Sequence, residues 1–187
     1  MQNDINECLR VLQNGGVILY PTDTVWGIGC DATNAEAVSR VFALKKRVEA
    51  KSLIVLLDND NKLQNYVSEV PDIAYTLIEY TERPLTIIYP GAKNVAPNVV
   101  HSDGTLGIRI VKHDFCQKLI ERFRKPIVST SANLSGDPTP ALFSEVNNEI
   151  RSGVDYVVQL EQNLIIPKEA SAIIRLEVNG TFEFIRR

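Results

Sequence analysis

Short apolar runs rich in β-branched residues recur along the whole chain, and their order constrains the fold more than any other feature. Such runs, bounded by Gly, Pro, Asn or Asp, predict β-strands. They are Val17–Tyr20, Val25–Gly29, Leu53–Leu57, Leu85–Tyr89, Gly107–Val111, Ile127–Ser129, Tyr156–Gln159, Ser171–Arg175 and Thr181–Ile185. Helical periodicity predicts helices over 4–14, 34–46, 71–81, 113–124 and 141–151, with Asn34 as the N-cap of the second.

Helices and strands alternate irregularly in this order. Because some neighbouring strands have no helix between them, a mixed sheet with helices packed on it is expected rather than a purely parallel one. The fold class is therefore α/β of the α+β type. A length of 187 residues, 44% of them apolar, predicts one domain over residues 1–187 with a substantial core.

Composition narrows the function classes. A net charge of −3 and a pI of about 5.5 mean that any anion site must be a local concentration of Lys and Arg. The cysteines Cys8, Cys30 and Cys116 have no metal or redox spacing, and we expect reduced thiols in a cytoplasmic protein. The polar start of the chain is wrong for a signal peptide, and the longest apolar run, Leu53–Leu57, is too short to span a bilayer.

Polar side chains interrupt the apolar pattern between the first two strands, over Tyr20–Cys30. If this segment is extended, Thr22, Thr24 and Trp26 share one face, with two hydroxyls beside an aromatic plane. The two glycines that follow Trp26 allow a close approach to the backbone. The alternative is a hairpin with solvated threonines.

Basic residues cluster where the second helix ends, over Leu44–Ser52. Cations at a helix C-terminus are favourable in themselves, so a solvated helix end is one interpretation. The other is an anion clamp built from Lys45, Arg47 and Lys51, since Arg can fork onto phosphate oxygens while Lys acts as a point charge.

A buried strand turns polar within Lys125–Pro140. In extended conformation Ser129, Ser131 and Asn133 point to one side, and the residues between them point to the other. A row of donors and acceptors at a strand end, followed by a Gly/Pro loop, is typical of a ligand site. An Asx or Ser turn that caps the strand is the alternative.

An arginine lies inside an apolar strand, where Thr105, Gly107 and Arg109 share a face. Because an unpaired buried charge is costly, Arg109 needs a partner, which is either an acid of the fold or a substrate carboxylate. The sequence has no phosphate-binding P-loop, no dinucleotide fingerprint and no nucleophile elbow. Its two histidines, His101 and His113, lie outside the polar segments, which gives a His-based triad or metal site little support.

From about residue 10 to 175 the sequence resembles the YrdC-like family of threonylcarbamoyl-AMP synthases. Each motif alone is weak, but their combination in this order is specific. The matching motifs are Pro21–Gly29 followed by Asp31-Ala32, Lys45 and Arg47 as Lys-x-Arg, and Ser131-Ala-Asn133 followed by Leu-Ser-Gly. The resemblance implies a single domain whose twisted mixed sheet, flanked by helices, surrounds a concave, positively charged cleft.

The resemblance also implies a nucleotidyltransferase. It would form L-threonylcarbamoyladenylate and pyrophosphate from L-threonine, bicarbonate or CO2, and ATP, for threonylcarbamoyladenosine modification of tRNA. Mg²⁺ would arrive with ATP and be held mainly by the phosphates. The product would pass to a tRNA threonylcarbamoyl transferase complex, with weak tRNA or RNA binding and no membrane association.

The resemblance assigns residues to each substrate. Those expected to bind ATP are Lys45, Arg47, Lys51, Thr105, Ser131, Asn133, Thr139 and Arg186, with Lys45 and Arg47 also catalytic. Those expected to bind threonine are Thr24, Arg109, Ser129 and Ser171.

Two other functions compete with this interpretation. One is an RNA-binding module without ATP turnover, against which stand the acidic pI and the lack of an aromatic-rich basic stripe. The other is the YrdC-like domain of hydrogenase-maturation carbamoyltransferases, which act on carbamoyl phosphate. Those proteins are much larger and carry zinc-finger and acylphosphatase parts.

Overall fold

A computed structural model of the chain describes residues 1–46, 53–165 and 170–187. The α-helices are α1 (Gln2–Gln13), α2 (Ala35–Leu44), α3 (Asp72–Tyr80), α4 (Asp114–Phe123) and α5 (Asn148–Gly153). Three 3-10 helices cover Asp60–Asn65, Pro97–Val99 and Phe143–Glu145. Within these ranges no helix is long and apolar enough to cross a membrane.

The described strands form one mixed sheet in the order β7-β1-β2-β6-β3-β5-β4-β8-β9. They are β1 (Ile18–Tyr20), β2 (Gly27–Gly29), β3 (Ile54–Leu57), β4 (Leu85–Tyr89), β5 (Leu106–Ile110), β6 (Ile127–Ser131), β7 (Tyr156–Val157), β8 (Ala172–Leu176) and β9 (Phe182–Arg186). The pairs β1–β7, β3–β5 and β4–β8 are parallel, and the other pairs are antiparallel. The predicted mixed sheet is confirmed.

The predicted helix over 141–151 is wrong in its first half. Phe143–Glu145 is a 3-10 turn, and α5 begins only after Asn147. The Glu145 carboxylate accepts the backbone N–H of Ala141 at 2.7 Å, which closes the first turn on itself. The Asn147 side chain then accepts the Glu149 N–H at 2.8 Å and caps a new helix. The predicted cap at Asn34 is confirmed, since its side chain accepts from two N–H groups of α2.

Helices cover both faces of the sheet because the central strands are apolar on both sides. On β3, Val55 and Leu57 lie in the core cluster that contains the buried residues of α2, while Leu56 lies in the cluster that contains those of α1 and α4. This alternation follows from the two-residue period of a strand. Each fully buried aliphatic side chain contributes about 1.5–3 kcal/mol, so these layers dominate the stability.

All three thiols are buried and free, and burial raises the pKa of Cys8, Cys30 and Cys116. Since the thiolate is the reactive form, none should react with a thiol reagent at pH 8 while the protein is folded. We expect denaturant to expose all three together. Mass spectrometry after timed alkylation checks this, and rapid labelling of any thiol in the native protein would contradict the described packing.

Candidate active site

A cleft of about 320 Å³ opens over the half of the sheet that runs from β6 through β3, β5, β4 and β8 to β9. It lies on the face that carries α1 and α4, because its lining residues Ile54 and Ser129 are two positions from Leu56 and Ile127, which pack in that layer. Seven residues assigned from the sequence line it: Thr24, Arg109, Ser129, Ser131, Thr139, Ser171 and Arg186.

The segment that carries Thr24 is a turn, and the prediction that Trp26 shares its face is wrong. The Thr22 hydroxyl accepts the N–H groups of Thr24 at 3.1 Å and Val25 at 3.2 Å, which bends the chain. Thr24 therefore lines the cleft, while Trp26 is fully buried and packs on Phe143 with ring centroids 5.0 Å apart. Trp26 is therefore not among the described residues that line the cleft.

The second glycine after Trp26 does permit a close approach, but from within the protein. A Cβ on Gly29 would lie 2.5 Å from the Val128 carbonyl oxygen and 2.7 Å from the Tyr20 ring. Only glycine therefore fits here, between the neighbouring strand and the core. This glycine is therefore required for packing within the protein.

Asp23 is the partner of Arg109, so the fold itself supplies the counter-ion that the sequence left open. The Arg109 Nη2 and the Asp23 Oδ1 are 3.1 Å apart, and the side chains are only 4% and 8% exposed. The other Asp23 oxygen accepts the Lys112 N–H at 3.0 Å. Because Arg109 also lines the cleft, a substrate carboxylate would be a second partner for it, added to Asp23.

Arg186 approaches the same end of the cleft. Its Nε and Nη2 donate to the Ser171 carbonyl oxygen at 3.0 and 2.8 Å. The Ser171 hydroxyl lies 2.8 Å from the hydroxyl of buried Thr86, which pairs with Arg109 across β4 and β5. Partial burial of the guanidinium and then the positive charge of Arg109 lower the pKa of Arg186. The structure thus places Arg186 beside the residues predicted to bind threonine.

Lys45 connects the end of α2 to the polar loop after β6. Its ammonium, in a side chain that is only 2% exposed, donates to the carbonyl oxygens of Ser131 and Asn133, the latter at 2.7 Å. The Ser135 N–H donates back to the Lys45 carbonyl at 2.9 Å. Arg47 and Lys51, the other members of the predicted clamp, lie outside the described residues. The prediction of a positively charged cleft depends on them and stays a prediction.

Asn133 forms a turn, which was one of the two alternatives that the sequence left open. Its amide donates to the carbonyls of Leu134 at 3.1 Å and Asp137 at 2.7 Å, as a turn-forming side chain does. Its Oδ1 is buried and has no hydrogen-bond partner. Buried acceptors are normally paired, so this oxygen is a candidate contact for a ligand donor. Asn133 is not among the described residues that line the cleft, whereas Ser131 is.

Thr105 lies outside the cleft lining and belongs to a polar network at the start of β5. Its hydroxyl is 2.7 Å from Asp103 Oδ1 and 3.1 Å from His101 Nδ1. The carboxylate can only accept, so Thr105 donates to Asp103 and accepts from His101. The Thr105 hydroxyl, followed by the Arg175 guanidinium 2.9 Å away, lowers the pKa of Asp103 to about 2.

Replacing Thr105 with Val should raise the pKa of Asp103 from about 2 toward its ordinary value of 3.8, because the hydroxyl is the main cause of the shift. A depressed carboxyl pKa stabilises the protein above the ordinary value, and that contribution is lost as the pH falls toward 2. The acid sensitivity of Thr105→Val should therefore be smaller in this window. A carboxyl NMR titration measures the shift, and a pKa still at about 2 would rule out the role of the hydroxyl.

Six of the described lining residues were not predicted: Val25, Ile54, Thr86, Thr130, Ala170 and Ile173. Thr86 is the most informative, because it is buried and its hydroxyl faces Ser171. Threonine is common in ordinary strands, so nothing in the sequence separates Thr86 from a structural residue. Thr130 was expected to point away from Ser129 and Ser131, yet it also lines the cleft at the end of β6.

No three His, Cys, Asp or Glu side chains are grouped so as to hold a metal ion within residues 1–46, 53–165 and 170–187. Among the described lining residues, the polar side chains carry hydroxyls and guanidinium groups. Mg²⁺ prefers several oxygen ligands and usually comes with substrate phosphates. This donor set suits Mg²⁺ delivered by a nucleotide better than a cation held by the protein alone.

Comparison with known proteins identifies relatives of the chain. A family model for Sua5, YciO and YrdC proteins, described as "Telomere recombination", matches residues 10–187. A threonylcarbamoyl-AMP synthase of Pseudoalteromonas translucida is 36% identical over 160 residues, which are 84% of this chain and 86% of the relative. A threonylcarbamoyl-AMP synthase of Photobacterium profundum is 35% identical over 162 residues, covering 85% and 88%.

Solved structures share the fold. P. abyssi Sua5 complexed with L-threonine superimposes with a TM-score of 0.81 at 27% identity, over 92% of this chain and 50% of that one. The chain thus spans about half the length of that protein. E. coli YciO superimposes with a TM-score of 0.86 over 100% of this chain and 90% of that one, and its 24% identity supports the fold alone.

Proposed function

The chain belongs to the Sua5, YciO and YrdC family, and we propose that it acts as a threonylcarbamoyl-AMP synthase. In this reaction L-threonine, bicarbonate or CO2, and ATP give L-threonylcarbamoyladenylate and pyrophosphate, for threonylcarbamoyladenosine modification of tRNA. The observation that carries the proposal is a cleft in which hydroxyls and the Arg109 guanidinium lie near Ser131, the last residue of β6. The Lys45 ammonium donates a hydrogen bond to the Ser131 carbonyl and so holds this strand end in place.

Threonine fits the end of the cleft nearest Arg109. The guanidinium keeps N–H groups beyond the pair with Asp23, and its Nε is buried without a hydrogen-bond partner. A carboxylate placed there would receive charge-assisted hydrogen bonds, which are the stronger class. The hydroxyls of Thr24, Ser129 and Ser171 line the same space and would fix the amino acid in one orientation.

ATP would occupy the side of the cleft formed by Ser131 and Thr139. Lys45 would act first by holding the carbonyls of Ser131 and Asn133 in place, and Asn133 offers its unpaired Oδ1. Arg47 and Lys51 would contact the phosphates, and Mg²⁺ would be held there mainly by phosphate oxygens. The Thr105 hydroxyl already donates its hydrogen bond to Asp103, so Thr105 would affect ATP binding indirectly, through that network.

The chemistry needs positioning and charge stabilisation more than a dedicated base. The carbamate oxygen attacks the α-phosphorus and pyrophosphate leaves, so the attacking and leaving oxygens must be in line. Holding the two reactants in that geometry can supply about 7–11 kcal/mol of the barrier reduction. Arg47 and Lys51, which would contact the phosphates, would stabilise the charge that moves to pyrophosphate.

The product would pass to a tRNA threonylcarbamoyl transferase complex, and we propose a cytoplasmic location. Weak contact with tRNA during this transfer is part of the proposal. The rival function, RNA binding without ATP turnover, makes a different prediction. It requires RNA affinity that falls steeply with added salt and no nucleotide chemistry.

The proposed activity is tested by identifying the product. Purified protein is incubated with ATP, Mg²⁺, L-threonine and ¹³C-bicarbonate, and the nucleotides are analysed by mass spectrometry. We expect an adenylate whose mass rises by the isotopic difference relative to unlabelled bicarbonate. AMP and pyrophosphate formed without any labelled adenylate would reject the proposal.

A further inference from the structure

We propose that Arg186 is the residue that holds the carbamate group, so that Arg109 and Arg186 together form a site for N-carboxylated threonine, a dianion. The inference rests on the proposed function and concerns a reactant group that no residue has yet been assigned to bind. It starts from the position of Arg186, whose Nε and Nη2 both bond the Ser171 carbonyl at the threonine end of the cleft.

The charges around the cleft are unequal. Among the described lining residues, the ionisable side chains are Arg109 and Arg186. Asp23 compensates Arg109 from outside the lining, 3.1 Å from its Nη2. Arg186 bonds a neutral carbonyl instead of an acid, so its charge remains uncompensated by that contact. The described lining residues, together with Asp23, therefore retain about one positive charge for a ligand.

Threonine and its carbamate differ in charge, and the cleft favours the carbamate. Zwitterionic threonine carries an ammonium group, which a carboxylate would stabilise, but the described lining offers hydroxyls and two guanidinium groups. Nearby positive charge disfavours an ammonium group and favours the free amine, which is the nucleophile. The same charge stabilises the second negative group that N-carboxylation adds.

The two guanidinium groups have separate anchors and can serve separate anions. Arg109 lies on β5 and is fixed by Asp23. Arg186 lies at the end of β9 and is fixed by the carbonyl of Ser171. Ile173 pairs with Arg186 and with Thr86, and Thr86 pairs with Arg109, so the strands β8 and β4 separate the two. The α-carboxylate of threonine is assigned to Arg109 and the carbamate to Arg186.

The step itself balances with CO2 as the co-reactant. The amine lone pair forms a bond to the carbon of CO2, one C–O π pair moves onto oxygen, and the proton on nitrogen passes to water. Arg186 donates N–H groups to the new oxyanion, as charge-assisted hydrogen bonds. The carbamate oxygen that points away from Arg186 then faces the α-phosphorus of ATP.

Arg186→Gln tests the assignment, with Arg187→Gln as the matched control. Arg187 is the next residue, is exposed, and places its guanidinium 5.2 Å from the centroid of the Phe184 ring. Loss of a charged hydrogen bond should raise the KM for bicarbonate about tenfold or more in Arg186→Gln. The KM for ATP should stay within about twofold of that of the wild type, and Arg187→Gln should match the wild type in both. A raised KM for ATP with an unchanged KM for bicarbonate would assign Arg186 to the nucleotide and overturn the proposal.

A second measurement works without ATP and separates this inference from the proposed function. ¹³C NMR with ¹⁵N-threonine and ¹³C-bicarbonate should show a bound carbamate, through its ¹³C–¹⁵N coupling, with wild-type protein and with Arg187→Gln. Arg186→Gln should lose this signal, and Arg186→Lys, which keeps the charge, should retain part of it. An undiminished signal in Arg186→Gln refutes the carbamate role, whereas a wild-type protein that makes no adenylate refutes the proposed function.

Discussion

Replacing Lys45 with Met is expected to abolish threonine-dependent pyrophosphate release and to lower the free energy of unfolding. The buried ammonium is bonded to the carbonyls of Ser131 and Asn133, at the loop that is proposed to meet the nucleotide. Methionine fills the space but donates no hydrogen bond. Each carbonyl left unpaired costs about 1–3 kcal/mol, so the loop should loosen and the unfolding midpoint in urea should fall. Pyrophosphate release and urea unfolding are measured on the same preparation.

Lys46→Met is the matched control, because Lys46 is adjacent in sequence and its side chain is 65% exposed in an ion pair with Glu149. Exposed pairs contribute about 0–1 kcal/mol, so this variant should be close to the wild type in both measurements. Equal activity in Lys45→Met and Lys46→Met would remove Lys45 from the active site. Lost activity without any loss of stability would instead favour a direct phosphate contact over a positioning role.

Replacing Arg109 with Met is expected to raise the threonine requirement and to destabilise the protein. The first effect follows from losing the donor to the substrate carboxylate, which we expect to raise the KM for threonine about tenfold to a hundredfold. The second follows because Asp23 is left buried and uncompensated, which costs about 3–5 kcal/mol. Threonine titrations of pyrophosphate release and denaturant unfolding measure the two effects separately.

A double variant separates the ion pair from substrate binding. In Asp23→Asn with Arg109→Met both charges are gone, and the introduced amide oxygen can still accept the Lys112 N–H that Asp23 accepts at 3.0 Å. The stability of the double variant should recover most of what Arg109→Met loses, while the threonine requirement stays high. Recovery of normal threonine dependence in the double variant would show that Arg109 acts only on the fold.

The strand pattern and the polar segments were predictable, because both follow from local periodicity. Each predicted strand is present within a few residues. Of the predicted row, Ser129 and Ser131 line the cleft, whereas Asn133 is not among the described lining residues. What failed depended on bonds between side chain and backbone. The Thr22 hydroxyl turns the chain and sends Trp26 into the core, and the Asn147 cap divides the predicted fifth helix.

The partners of the charged residues were not predictable from the sequence. An arginine in an apolar strand signals a need for compensation, but only the sheet order brings Asp23 to Arg109. Lys45 was assigned to phosphate from its motif, and its carbonyl partners on a distant loop carry no sequence signal. Arg186 likewise reaches Ser171 only because β9 pairs with β8.

The central claim is that threonine, a one-carbon unit and ATP meet in one cleft, and pyrophosphate release tests it most directly. The rate is measured with all three substrates and Mg²⁺, and then with threonine or bicarbonate omitted in turn, after CO2 has been removed from the buffer. The account predicts release only when every substrate is present. Release that continues unchanged without threonine or without bicarbonate would contradict it.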